Sequence, residues 1–358
     1  LPVGRDPSTI SVTLERPGAA STPAHRRLGL LLAWSASEPA RLGEVALLAP
    51  GQSATLGRGA GEEAEARATF VRQRPGVNQP TAPLGGLGLS REQLRVRASD
   101  AGLEIERVGR RPLELRGVEV DRCTLRPGDA LHVRDQLVLL CVERPEVLAA
   151  GTHFPAEACG DFGASDELGI LGESPFTWRM RERIAFASRS GEHVLILGQS
   201  GTGKELAANA IHRLSSRRSR PFVGRNAATL PKGLIDAELF GNAKNYPNAG
   251  MSERAGLVGE ANGGTLFLDE IAELPSELQS HLLRVLDAGG DYQRLGESST
   301  RRSDFVLVGA TNRDAGAMKH DLVARFAIRL ELPSLREHPD DIPLLVQHLL
   351  LRASRKSP

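Results

Sequence analysis

His193–His212 reads HVLILGQSGTGKELAANAIH. HVLIL has the pattern of a buried strand, GQSGTG that of a glycine turn, and KELAANAIHRL that of a helix. A strand, a glycine turn and a helix in that order are the context that a phosphate-gripping loop needs. The loop comprises Gly198, Gln199, Ser200, Gly201, Thr202, Gly203, Lys204 and Glu205. Its glycines let the backbone turn tightly, so that successive N–H groups converge on phosphate oxygens. The helix beginning near Lys204 adds its positive dipole end, and Lys204 a point charge for the β- and γ-phosphates. The plainer alternative, a glycine turn before an ordinary helix, leaves the lysine and this order of elements unexplained. Glu205 stands where such loops usually carry Ser or Thr.

Downstream, RPFVGRNAA (220–228), GTLFLDE (264–270) and DFVLVGATN (304–312) read as further strands. SELQSHLLRVLDAG (276–289) is a helix with Leu278, Leu282, Leu283 and Leu286 on one face. Strands alternating with helices predict a parallel α/β sheet. GTLFLDE ends in two acids at the carboxyl end of a strand, where such sheets place ligands. Asp269 suits a Mg²⁺ ligand, and Glu270 a group that polarises water for attack on a γ-phosphate. Alone, the pair would be a solvated turn; with the loop upstream it becomes a candidate site.

Upstream the pattern is different. Residues 1–25, rich in Pro, Ser, Thr and Ala, predict a loose arm. From Leu28 to about Val142 short β-like runs recur between turn signals: LGLLLAW, EVALLA, ATFVRQR, EQLRVRA, LEIERV, ALHVR and LVLLCV. That spacing predicts a β-sandwich. Residues 146–168 lack periodicity and read as a linker. The 358 residues suit two or three domains, and 40% apolar content is enough for ordinary cores. A net charge of +1 argues against nucleic-acid binding by bulk charge. The basic run HRLSSRRSR (212–220) reads as a solvated loop. Three scattered cysteines form no CxxC pair, and no apolar run approaches a membrane span. A soluble cytoplasmic protein, without a membrane partner, is the expectation.

GQSGTGKE, ELFG, GGTLFLDEI, GATNRD and LPSLREHPDDIPLL together resemble the AAA+ ATPase domain of bacterial enhancer-binding proteins, the sigma-54-dependent transcriptional activators. The resemblance runs from about Ile170 to the end of the chain and accounts for Glu205, since the family's loop characteristically ends in Lys-Glu. Without a hydroxyl there, Mg²⁺ must rely more on the phosphates, waters and Asp269. The resemblance further implies that Asn226 holds the catalytic Glu away from water until the partner site is ready. It makes Asn312 a sensor of the γ-phosphate and Arg325 an arginine finger reaching a neighbouring subunit. Lys319 stands where the family has a second arginine, and loses the planar fork. Gly172–Pro175 (GESP) matches the segment that begins the adenine pocket. A finger acting in trans implies a ring, a hexamer in this family, with ATP and Mg²⁺ bound between subunits. RNA polymerase sigma-54 or a related transcription component is the implied partner.

The family carries GAFTGA after ELFG, whereas this chain has Asn245-Tyr246-Pro247-Asn248-Ala249-Gly250. Proline stiffens the backbone where the family has Phe. Either the loop meets a different partner, or Tyr246 replaces the Phe. The sensor II arginine and the helix-turn-helix expected of the family do not occur in these residues, so DNA would be reached only through a region absent here. The β-rich segment resembles a forkhead-associated domain through LGR (Leu56–Arg58), LSREQ (Leu89–Gln93) and LRPGDALHV (Leu125–Val133). That resemblance implies a phosphothreonine-protein site at Arg58, Ser90 and Arg91. Gln93 replaces the family's His, and Arg110-Arg111-Pro112 stand where an Asn is expected.

The expected architecture is therefore multidomain. A flexible arm (1–25) and a forkhead-associated-like β-sandwich (26–145) precede the linker (146–168). An α/β AAA+ P-loop NTPase core (169–332) and the start of a helical lid (333–358) follow. The expected function is ATP-hydrolysing transcription regulation with a phosphopeptide-sensing module. The alternative is a nucleotide-gated scaffold or adaptor that does not remodel sigma-54.

Overall fold

The computed structural model describes residues 26–59, 67–231, 233–287 and 289–355; the expected arm lies outside them. The N-terminal strands are β1 (Arg26–Ser35), β2 (Val45–Leu48), β3 (Ser53–Leu56), β4 (Val71–Arg74), β5 (Val77–Pro80) and β6 (Leu94–Ser99). They continue with β7 (Gly102–Arg107), β8 (Leu113–Leu115), β9 (Val118–Val120), β10 (Arg122–Leu125), β11 (Ala130–Val133) and β12 (Leu137–Pro145). Helix α1 (Pro175–Ser190) precedes β13 (Val194–Gly198), α2 (Lys204–Leu214), β14 (Phe222–Asn226), α3 (Ile235–Phe240) and α4 (Gly256–Glu260). Then come β15 (Thr265–Asp269), α5 (Ser276–Asp287), β16 (Asp291–Tyr292), β17 (Arg301–Arg302), β18 (Val306–Thr311), α6 (His320–Ala324), β19 (Ile328–Leu332) and α7 (Ile342–Ser354). Among the described residues no helix is long and apolar enough to cross a membrane.

The chain divides into two compact units, one running to Met180 and joined by the segment from Leu335, the other Arg181–Ser334. The first contains two antiparallel sheets, ordered β5-β4-β2-β1-β12-β11-β8-β9 and β10-β7-β6-β3. Side chains alternate across a strand, and β6 follows that rule. Leu94, Val96 and Ala98 enter the core while Arg95 and Arg97 face out, opposite Glu106 and Glu104 of β7. Strand β1 is apolar on both faces. Leu30 and Leu32 join the inter-sheet core, and Leu31 joins Val45, Leu140 and Val142 on the other face.

The segment expected as a linker is packed. Gln73 Nε2 donates to the carbonyls of Pro145 and Glu146, and the Gly76 N–H donates to the Leu148 carbonyl at 2.9 Å. Leu148, Ala158 and Leu168 are buried. Composition made this stretch look loose because its order comes from backbone hydrogen bonds and scattered apolar anchors.

The second unit is a five-stranded parallel sheet in the order β14-β15-β18-β13-β19. The fifth strand, β19 (IRLEL), went unread in the sequence. Its alternating pattern suits an edge position, where it pairs with β13 in register Val194↔Ile328 to Gly198↔Leu332. Ala207, Ala208, Ala210 and Ile211 of α2 are buried, mostly small residues that let a helix sit close to a sheet. The α5 stripe is Leu278, Gln279, Leu282 and Val285, with Leu283 and Leu286 packed at its edge.

Candidate active site

In a parallel sheet every strand delivers its carboxyl end to the same edge. At that edge β13 runs into the glycine loop, β15 ends in Asp269, and β18, lying between them, ends in Thr311. Gly203 has φ +87°, in the left-handed region, and α2 begins at the next residue. Gly198 is required for a different reason: a Cβ there would lie 2.8 Å from the Leu332 carbonyl oxygen of the neighbouring strand. Thr202 closes the turn, its N–H and hydroxyl both donating to the Gln199 carbonyl.

Lys204 is 7% exposed and lies under the loop, its Nζ donating to the carbonyls of Gly198 (3.1 Å) and Gln199 (3.3 Å). The same Nζ is 3.6 Å from Glu270 Oε1. The Lys204 and Glu270 side chains thus meet between the β13 loop and the end of β15, which lie two strand spacings apart, roughly 10 Å. Glu270 Oε2 accepts the backbone N–H of Asn312 at 3.1 Å. Asp269 Oδ1 accepts the Glu270 N–H at 3.0 Å. Glu270 itself is held at φ 49°, ψ 44°, in the left-handed region that side chains rarely adopt.

The structure therefore brings Lys204, Asp269, Glu270 and Asn312 together. Asn226 is beside Asp269 in the parallel register of β14 and β15, and its Nδ2 donates to Asp269 Oδ2 at 3.4 Å. Its Oδ1 accepts the Ala228 N–H. The Asn226 amide thus meets Asp269, and Glu270 is held by Lys204 and Asn312. Arg325 follows α6, is about half exposed, and pairs through Nε with Asp287 Oδ1 at 2.5 Å. The Lys319 N–H donates to Gln279 Oε1 at 2.9 Å, and its ammonium to the Ser280 hydroxyl. Glu173 and Ser174 of the GESP segment fall in the other compact unit.

The loop after ELFG is folded back on itself. Asn245, at φ 66°, receives the Gly250 N–H on Oδ1 and donates its own N–H to the Met251 carbonyl. The Tyr246 ring packs over Gly296 and stays 41% exposed. Sequence reasoning missed Asn242, which is 2% exposed. Its amide donates to the carbonyls of Ala243 (3.0 Å), Ser252 (3.0 Å) and Tyr246 (3.4 Å), pinning the loop's base. The only signal was a polar residue directly after the helix-ending Gly241.

In the sandwich, Ser90 links the three residues expected to hold phosphate. Its carbonyl accepts the Arg58 N–H at 2.9 Å, its hydroxyl accepts the Arg110 N–H at 3.1 Å, and Arg91 follows directly. Gln93, fully buried, braces this corner by donating to the Arg111 carbonyl at 2.9 Å. Among the described residues Arg58, Arg91 and Arg110 have no carboxylate partner.

A phosphate loop, its lysine and an acid pair on one edge of a parallel sheet define a P-loop NTPase. Residues 170–332 match the family model described as the Sigma-54 interaction domain, and this segment is an AAA+ ATPase domain. The Nif-specific regulatory protein of Azorhizobium caulinodans is 42% identical over 197 residues, covering 53% of this chain and 32% of its own length. The DNA-binding transcriptional regulator NtrC of Escherichia coli (strain K12) is 43% identical over 194 residues, covering 52% of this chain and 41% of its own. The chain thus spans less than half the length of these relatives. The crystal structure of NtrX from Brucella abortus in complex with ADP shares 33% identity. It covers 54% of this chain and 44% of its own, with a TM-score of 0.49.

Proposed function

We propose that the chain binds ATP with Mg²⁺ between subunits of a ring, hydrolyses it, and spends the cycle on sigma-54 or a related part of the transcription machinery in the cytoplasm. The observation that carries this reading is the convergence of Lys204, Asp269, Glu270 and the Asn312 N–H at one sheet edge. The loop N–H groups and Lys204 would hold the triphosphate. Asp269 would bind Mg²⁺ together with phosphate oxygens and waters, because Glu205 offers no hydroxyl. Glu270, tied to both Lys204 and the end of β18, is placed to direct water once phosphate competes for the ammonium. Asn226 would report the state of the acid pair through Asp269, Asn312 would sense the γ-phosphate, and Arg325 would serve the neighbouring site. Steady-state phosphate release tests this: Glu270→Ala should lose roughly 100-fold or more in turnover while still binding ATP. Turnover equal to the parent's overturns the assignment.

A second reading, a nucleotide-gated scaffold, is favoured by one observation: the Asn245–Asn248 loop is pinned by Asn242 and carries Pro247 where the family has Phe. Capture of sigma-54 in the presence of a transition-state nucleotide mimic separates the two, since only the remodelling reading requires it. The sandwich is assigned, as part of the same proposal, a forkhead-associated role in binding a phosphothreonine protein through Arg58, Ser90 and Arg91. Calorimetry should find that Arg58→Ala weakens a phosphothreonine peptide about tenfold. Equal binding of the unphosphorylated peptide by the parent would sink that role.

A further inference from the structure

The two arginines expected to take phosphate stand on loops whose strands have already parted. Strand β3 pairs with β6 from Ser53↔Arg97 to Leu56↔Leu94, and the ladder stops there. Beyond it Arg58 leaves on one side, and Ser90 and Arg91 arrive on the other, with the hairpin of β4 and β5 between them in the chain. Gly57 lets the two backbones touch, since a Cβ there would lie 2.1 Å from the Arg91 carbonyl oxygen. One direct link follows, from the Arg58 N–H to the Ser90 carbonyl at 2.9 Å.

Arg67 adds a second link of another kind. Its Nη1 donates to the carbonyls of Arg58 (3.4 Å) and Gly59, and its Nη2 to that of Arg91 at 3.2 Å. The guanidinium thus holds the main-chain carbonyl of each phosphate arginine. Its own root is fixed as well. Arg67 bridges Thr55 of β3 in parallel register, and the Ala68 N–H donates to the Thr55 carbonyl at 2.9 Å. On its other side the Arg58 loop is tied by the Gly59 N–H, which donates to the Leu84 carbonyl at 2.8 Å.

A planar guanidinium offers five donors in a fixed fork and can hold carbonyls of two loops at once; an ammonium on a flexible stem holds them less rigidly. A ligand gripped by two arginines needs them at a set spacing. Where the loops drift, the cost of ordering them falls on binding and affinity drops.

We propose that Arg67 is a positioning residue of the phosphothreonine site: a staple across the carbonyls of Arg58, Gly59 and Arg91 that sets the spacing of the two arginines. This rests on the phosphothreonine reading given above. The segment between Gly59 and Ser90 is then part of the site rather than a spacer, because it delivers Arg67.

The test uses the full chain with Arg67→Gln and Arg67→Lys, each checked by circular dichroism and melting. Arg122→Ala, which breaks only the exposed pair with Glu106, is the control. The probe is the peptide that the parent selects best from a degenerate phosphothreonine library, beside its unphosphorylated form. Calorimetry should find binding weakened about tenfold by Arg67→Gln and about fivefold by Arg67→Lys, which keeps the charge but loses the fork, with no change in the control. Without peptide, amide exchange should quicken at Arg58 and Gly59, while the β6 and β7 amides and the melting temperature stay those of the parent. Parent-like affinity in both variants overturns the staple and leaves the phosphothreonine reading standing. Full affinity in Arg67→Lys alone also overturns it, because charge without the fork then suffices. So does exchange that is unchanged at Arg58 and Gly59, or quickened throughout the sandwich with a lower melting temperature, which makes Arg67 a residue of the general fold. A parent that binds both peptide forms equally sinks the phosphothreonine reading, and the positioning role with it.

Discussion

His193, at the entry to β13, receives the Leu307 N–H on Nδ1 at 3.0 Å. A nitrogen that accepts a hydrogen bond carries no proton, so the folded protein requires the neutral ring. Burial, with the Arg217 charge adding to it, pushes the pKa down to about 4. The unfolded chain then binds more protons than the folded one between the ordinary histidine value and that figure. The contribution is fully present above about pH 6.5 and is lost as pH falls toward 4, a total on the order of 3 kcal/mol. Melting temperatures of the parent should therefore fall more steeply between pH 6.5 and 5 than those of His193→Asn, whose amide oxygen still accepts. Parallel slopes would remove this account. At the same scale, the meeting of Lys204, Asp269 and Glu270 at one sheet edge was legible because it depends on residue type beside a strand end. The Asn312 N–H on Glu270 was not, since a backbone donor has no letter of its own, and neither was the left-handed backbone of Glu270.

Among elements, pattern succeeded where one face was buried and fell short where two were. The alternation in LRVRAS of β6 marks a strand with charges outward. LGLLLAW and LVLLCV were read as strands, yet their unbroken apolar character carried a second message: a strand apolar on both faces must be covered twice. The outer cluster of Leu31, Val45, Leu140 and Val142 realises that demand. Strands such as β8 and β9, three residues each, offer too few positions for a period to register. The packed stretch after β12 has no period because Gln73, Asn78 and Gly76 hold its backbone rather than its side chains. In α5 the face was placed correctly at Leu278 and Leu282, but Gln279 was overlooked as a buried member. Its Nε2 donates to the Leu274 carbonyl at 2.8 Å and its Oε1 accepts from Lys319, which makes a polar residue tolerable there.

At the scale of the whole molecule, the proposed role of Arg325 as a finger asks whether one chain is a complete enzyme. The Arg325–Asp287 pair is about half exposed on both sides, and such pairs cost only about 0–1 kcal/mol to break. The guanidinium is thus free to change partners at little expense, as a group serving a neighbouring subunit must be. Lys204→Ala removes phosphate binding from its own site but leaves Arg325 intact, while Arg325→Ala does the reverse. Each alone should have almost no turnover. Mixed in equal amounts and allowed to reassemble, random neighbours would restore about a quarter of the interfaces, each joining an intact lysine site to an intact finger. Phosphate release should therefore reappear in the mixture and grow with the time allowed for subunit exchange. If the mixture stays as inactive as its components while sizing shows mixed assemblies, Arg325 acts within its own chain and the ring is not part of the chemistry.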